Sequence, residues 1–168
     1  MKTKLYTVGA VAGLLLIALT ACEPGSPGQT AENDGRMRLS VNNSYGDFGS
    51  VVIHINAMTT ADLSPEVAQG YGIVRSEDQG LVNLVILRKS DDAGGDQPTT
   101  GEVTVSAANL TGQLKNVEIQ EILDGDSIYY ISEVSVDNRE TINFDFDVRP
   151  DGSDRTLLIR FSHQFYTR

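Results

Sequence analysis

The chain has 168 residues, 40% of them hydrophobic, with 13 Lys and Arg against 23 Asp and Glu, a formal net charge of −10, and a single cysteine. This length suits one domain with its own core. The acidic excess argues against nucleic acid and anionic lipid surfaces as partners, since both need basic patches, and a lone cysteine leaves no internal disulfide, so stability must come from packing.

Lys2 and Lys4 precede an uncharged, mostly apolar run from Val8 to Leu19 that ends at small residues, the pattern of a secretory signal. The tetrapeptide Leu19-Thr20-Ala21-Cys22 resembles the lipobox of bacterial lipoproteins. That resemblance implies cleavage before Cys22, a diacylglycerol on its thiol and an acyl group on its freed amine. An uncleaved membrane helix needs about 20 apolar residues, whereas Leu5 to Ala21 is shorter and interrupted by Thr7, Gly9 and Gly13. A nucleophilic cysteine needs a neighbouring base or cation, and Cys22 has Glu23 and Pro24 beside it. Glu23 stands where Gram-negative lipoproteins use aspartate to stay at the inner membrane, so the outer membrane is favoured. Residues 1–21 are therefore read as signal peptide, 22–35 as a lipidated flexible tether rich in Gly, Pro and Ser, and 36–168 as the folded domain. Loss of Lys2 and Lys4 with the signal makes the mature chain still more acidic.

From Arg36 onward the apolar residues recur with a period of two. Met37, Leu39 and Val41 predict one strand, and Val51, Ile53, Ile55 and Ala57 a second, with a turn-rich stretch from Asn42 to Gly49 between them. Leu63 to Gly70 predicts one short helix: Ser64 caps it, Pro65 suits its first position, Leu63 and Ala68 form a staple, and Gly70 stops it. Leu81 to Leu87 is nearly all apolar and predicts a central strand covered on both faces. Ser90 to Pro98 reads as an exposed loop. Glu102 to Ala108 follows as a strand, then Gln113 to Ile122 and Ile128 to Val136, with a hairpin at Asp124-Gly125. Ile142 to Val148 and Leu157 to Phe165 close the chain around Pro150-Asp151-Gly152. The expected fold is all-β, an antiparallel immunoglobulin-like sandwich of about seven or eight strands with one short connecting helix.

The segments His54-Ile55-Asn56-Ala57, Leu63 to Ala68, Tyr71-Gly72-Ile73-Val74-Arg75-Ser76, Gly80-Leu81-Val82-Asn83, Asp126 to Ile131 and Gln164-Phe165-Tyr166 resemble the bacterial domain-of-unknown-function 4426 family. The resemblance covers most of the chain after the tether. It implies a β-sandwich and an envelope location and lends no catalytic residue. Ile55 stands where relatives carry tyrosine between the histidine and the asparagine.

His54 and Asn56 share one side of their strand, and Arg75-Ser76 follows the helix. One reading is a polar recognition patch of His54, Asn56, Tyr71, Arg75 and Ser76 that binds a carboxylate or a partner's backbone. The other is that these side chains tie the helical connection down. His54 and His163 are the only histidines, and Asp91, Asp92, Asp96, Asp124, Asp126, Asp151 and Asp154 lack calcium-loop spacing, so no metal ion is expected. There is no Gly-x-Ser-x-Gly elbow and no glycine-rich phosphate cradle, and no cofactor is expected. These residues point to a non-catalytic envelope lipoprotein that faces the periplasm, anchored through Cys22 and binding an envelope protein, with edge strands able to take up an extended segment. The alternative is a ligand-binding or enzymatic sandwich with a polar pocket near His54 and Arg75.

Overall fold

The computed structural model describes residues 31–33, 36–41, 44–91 and 94–167. The expected signal peptide, Cys22 and the expected tether as far as residue 30 lie outside the described residues. Two sheets pack face to face. The first runs β1 (Ala31–Asn33), β2 (Arg36–Val41), β12 (Thr156–Gln164), β11 (Thr141–Pro150), β7 (Gly101–Asn109) and β8 (Leu114–Lys115). The second runs β3 (Tyr45–Asp47), β4 (Val51–Thr59), β5 (Gln79–Arg88), β10 (Ser127–Ser135) and β9 (Gln120–Asp124), with β6 (Gln97–Pro98) paired to the end of β5.

The period of two becomes a core because alternate side chains of both sheets point inward. Ile53 and Ile55 of β4, Leu84 and Ile86 of β5, and Tyr130 and Val134 of β10 meet Phe144, Phe146 and Val148 of β11 and Leu157, Ile159 and Phe161 of β12 in one buried cluster. Burying one such side chain contributes about 1.5–3 kcal/mol. Exposed ion pairs such as Lys89–Asp47 and Arg160–Asp145 contribute about 0–1 kcal/mol each. The interior therefore decides stability.

Three features of the sheets depart from the sequence expectation. Three strands, β1, β3 and β6, are short pieces where tether, turn or loop was expected; Ala31–Asn33, at the end of the expected tether, pairs with β2. The segment from Gln113 to Ile122 is not one strand: Leu114–Lys115 pairs with β7 in the first sheet and Gln120–Asp124 with β10 in the second. Between them the chain changes sheets, and Val117 and Ile119 pack against the core as it crosses. β2 joins β12 in parallel, although every other pair among the described strands is antiparallel.

The helix α1 (Pro65–Tyr71) begins as expected, with the Ser64 side chain accepting the Val67 N–H at 3.2 Å. It ends two residues later than Gly70, at Gly72 with φ 71°. The extra residues carry Tyr71 to the β9–β10 hairpin, where its hydroxyl donates to Asp124 Oδ2 at 3.0 Å. Ala68 and Ile73 bury against Leu81, Ile122 and Ile131 on the outer face of the second sheet. Strand β5 is thus covered by the other sheet on one side and by the helical connection on the other. No helix among the described residues is long and apolar enough to cross a membrane.

Candidate functional site

The connection from Thr59 to Gln79 leaves β4, lays α1 over the sheet and returns to β5. Its base is closed by Thr60, which is fully buried. The Thr60 hydroxyl lies 3.0 Å from both the Val74 and the Ser76 carbonyl oxygens and accepts the Ser76 N–H at 2.8 Å. A hydroxyl has one proton and two lone pairs, so it suits a place where carbonyls and an amide converge. Arg75 adds a second tie, donating from Nη2 to the Ala61 carbonyl at 2.6 Å, and the Ala61 N–H donates to the Ser76 carbonyl at 3.2 Å. Thr59 Oγ1 donates to Asp62 Oδ2 at 2.7 Å, fixing the turn that starts the loop.

The residues of the expected patch divide among three places. Arg75 and Ser76 are held at the loop base, and the Ser76 hydroxyl oxygen also accepts the Asp78 N–H at 3.2 Å. Tyr71 is tied to Asp124 at the far hairpin, and burial together with that carboxylate raises the phenol above its ordinary value. His54 and Asn56 stand exposed on the outer face of β4, opposite the buried Ile53 and Ile55. His54 makes an edge contact with Tyr45 on β3, the ring centroids 5.2 Å apart. A cleft of about 400 Å³ opens beside Arg75 and is lined by Thr59, Asp62, Glu77, Tyr166 and Thr167; His54 is not part of it.

Other polar groups carry stronger signals of position than those the sequence singled out. Glu140 accepts from Lys115 Nζ at 2.8 Å, from Asn109 Nδ2 at 3.0 Å and from the Asp137 N–H at 3.0 Å. Burial pushes its carboxyl upward, but these hydrogen bonds outweigh burial and leave it below the usual carboxylate value. Tyr130, buried on the inner face of β10, has its phenol pushed up to about 12 by burial, with Glu121 adding to the rise. Asn83 Oδ1 and Ser132 Oγ are buried with no hydrogen-bond partner. Ser132 also lines a cleft of about 440 Å³ between β10 and the sheet-changing crossover, together with Asn116, Glu118, Gln120 and Glu133. None of these could be picked from the sequence, because what distinguishes them is contact between segments far apart in the chain. Among the described residues, no three His, Cys, Asp or Glu side chains are placed to hold a metal ion.

The model of the DUF4426 family, a domain of unknown function, matches residues 45–168. The crystal structure of a DUF4426 family protein from Pseudomonas aeruginosa PAO1 is similar at a TM-score of 0.64 and 28% identity, over 76% of this chain and 97% of that one. A family 123 glycoside hydrolase from Clostridium perfringens overlaps at a TM-score of 0.32 and 9% identity, over 69% of this chain and 27% of the enzyme. No curated protein matches this chain. The chain belongs to the DUF4426 family.

Proposed function

We propose that this DUF4426 protein is a non-catalytic lipoprotein of the bacterial envelope, held at the outer membrane through an acylated Cys22 and working in the periplasm as a protein-binding or scaffolding module. The location rests on the Leu19-Thr20-Ala21-Cys22 sequence at the end of an apolar run. The binding role rests on one structural observation: the two long outer strands of the second sheet outrun their neighbours. β4 extends from Val51 to Thr59 while β3 pairs only with Val52, Ile53 and His54, and β10 extends to Ser135 while its pairing with β9 ends at Ile131. An unpaired strand edge is a template for another chain.

Tyr71, Arg75 and Ser76 all hydrogen-bond within the chain, as side chains that tie the helical connection down would, so the open strand edges carry the binding proposal. Two measurements test it. Intact mass of protein from cell membranes should give a chain that begins at a triacylated Cys22, and crosslinking in intact cells should join it to another envelope protein. An unmodified thiol would overturn the first half, and recovery of no protein partner the second.

The cleft beside Arg75 favours the second reading, a small-ligand site with Arg75 as the anion-binding group. Soaking small carboxylates into crystals discriminates: density against Arg75 supports a ligand site, and an undisturbed Arg75–Ala61 bond supports the protein-binding module.

A further inference from the structure

Strand β10 pairs with β5 from Tyr130 to Ser135 but with β9 only from Ser127 to Ile131. Its last four residues therefore have a neighbour on one side alone. The Val136 N–H donates to the Asp78 carbonyl at 3.0 Å, on the β5 side. In a strand the N–H and C=O of one residue point together and alternate from one residue to the next, so those of Ser135 and Glu133 point over the open edge. Among the described residues nothing bonds them there.

Three observations say what would fit. The 440 Å³ cleft opens at the Ile131 to Glu133 part of this edge, between β10 and the crossover at Asn116 to Gln120. The buried Ser132 hydroxyl on its wall has no partner. Glu118 and Glu133, both exposed cleft residues, form no ion pair among the described residues, whereas Asp47, Glu102, Glu140 and Asp145 each have a basic partner. The overhang of β4, Asn56 to Thr59, carries no charged side chain.

We infer that the free edge of β10 takes up an extended, basic segment of the partner protein as an added strand. This rests on the protein-binding reading above and names its site. The guest's backbone bonds the edge-facing groups of Glu133 and Ser135. Its Lys or Arg side chains, on the outward face, meet Glu133 and Glu118. The guest residue opposite Ser132 shares the inward face at cross-strand distance, and a Ser or Thr there supplies the missing hydrogen bond. A second copy of this chain is a poor guest, because pairing the same edges brings one Glu133 toward another, and like charges across a ladder repel.

The test uses the full lipidated chain in detergent and a ten-residue peptide of alternating lysine and threonine, with its glutamate-for-lysine counterpart as control. The basic peptide should slow hydrogen exchange at the Glu133 and Ser135 amides, and the acidic one should not. Glu133→Lys should weaken the basic peptide by about tenfold or more at an unchanged melting temperature. Ser135→Pro removes an edge-facing N–H at a position where a sheet tolerates proline, and should abolish the protection. Absence of protection at millimolar basic peptide, equal binding by both variants, or protection that follows protein concentration alone would each overturn the proposal. Crosslinking in cells separates the two claims: a partner captured equally by wild type and both variants keeps the binding module and removes the β10 site, whereas no partner for wild type removes the module itself.

Discussion

The Tyr130 hydroxyl oxygen, on β10, accepts the backbone N–H of Gly101, at the start of β7, across 2.9 Å. The bond joins the two sheets of the sandwich near the end where the β11–β12 turn lies. The ring is buried in the core, its hydroxyl is the side chain's one polar group, and the Gly101 amide bonds it there beside Glu121.

Tyr130→Phe leaves that amide unsatisfied in a part-buried place and should cost about 1–3 kcal/mol, read from urea unfolding. Alkaline titration gives a second readout. The folded phenol, at about 12, lies above its unfolded value near 10. The stability tied to its neutral form is therefore complete below pH 10 and lost as pH rises through 12. Absorbance of tyrosinate should show one residue ionising after the others, and Tyr130→Phe should remove that step.

Gly80 has no side chain because Phe165 occupies the space: a Cβ there would lie 2.6 Å from the Phe165 ring. Gly80→Ala should destabilise by about 1–3 kcal/mol through overpacking. Phe165→Leu alone should also destabilise, but the double variant should cost less than the two single losses together, by about 0.5 kcal/mol or more. Strict additivity in thermal or urea unfolding would show that the contact does not limit this site.

Two groups contribute to the response to acid, each from its own ordinary value downward. His163 stacks on Phe161 and meets Phe165 edge-on at 4.7 Å, and burial lowers its imidazole below the ordinary 6.5. The unfolded chain then binds the proton first, so stability is full above pH 6.5 and falls as pH drops through the lower folded value. His163→Leu should flatten that stretch of the stability curve. Glu140, held below its ordinary 4.5, adds a second loss that begins below pH 4.5 as its bonds to Lys115, Asn109 and the Asp137 amide give way. Glu140→Ala should remove the second loss and cost about 2–4 kcal/mol at pH 7, because Lys115 would be left largely buried without its partner.

At the base of the helical connection, Thr60→Val keeps the shape and removes the hydroxyl that meets Val74, Ser76 and the Ser76 amide. The expected loss is about 2–3 kcal/mol, with faster hydrogen exchange from Ala61 to Ser76. Arg75→Ala, on an exposed side chain, should loosen the same loop by about 1 kcal/mol. If Arg75→Ala instead leaves exchange and melting unchanged, its bond to Ala61 is not what holds the loop.

The alternation of Val103, Val105 and Ala107, and of Ile142 through Phe165, was legible because the inward-outward order along a strand is a local property of the backbone. The Ser64-Pro65 helix start and the Asp124-Gly125 turn were legible for the same reason: caps and turns are set by residues a few positions apart, and Gly125 has the left-handed φ of 58° that the turn requires. The crossover was not, since Val117 and Ile119 alternate with polar residues whether the chain pairs or merely passes between sheets. The polar patch was grouped along the sequence, but the fold ties Tyr71 to Asp124 and Arg75 to Ala61 and leaves His54 with Tyr45. Which strand lies beside which, including β2 alongside β12, and which buried polar atoms find a partner, belonged to the tertiary structure. Those outcomes come from the packing of segments distant in the chain, and local preferences carry no record of the neighbour on the other side.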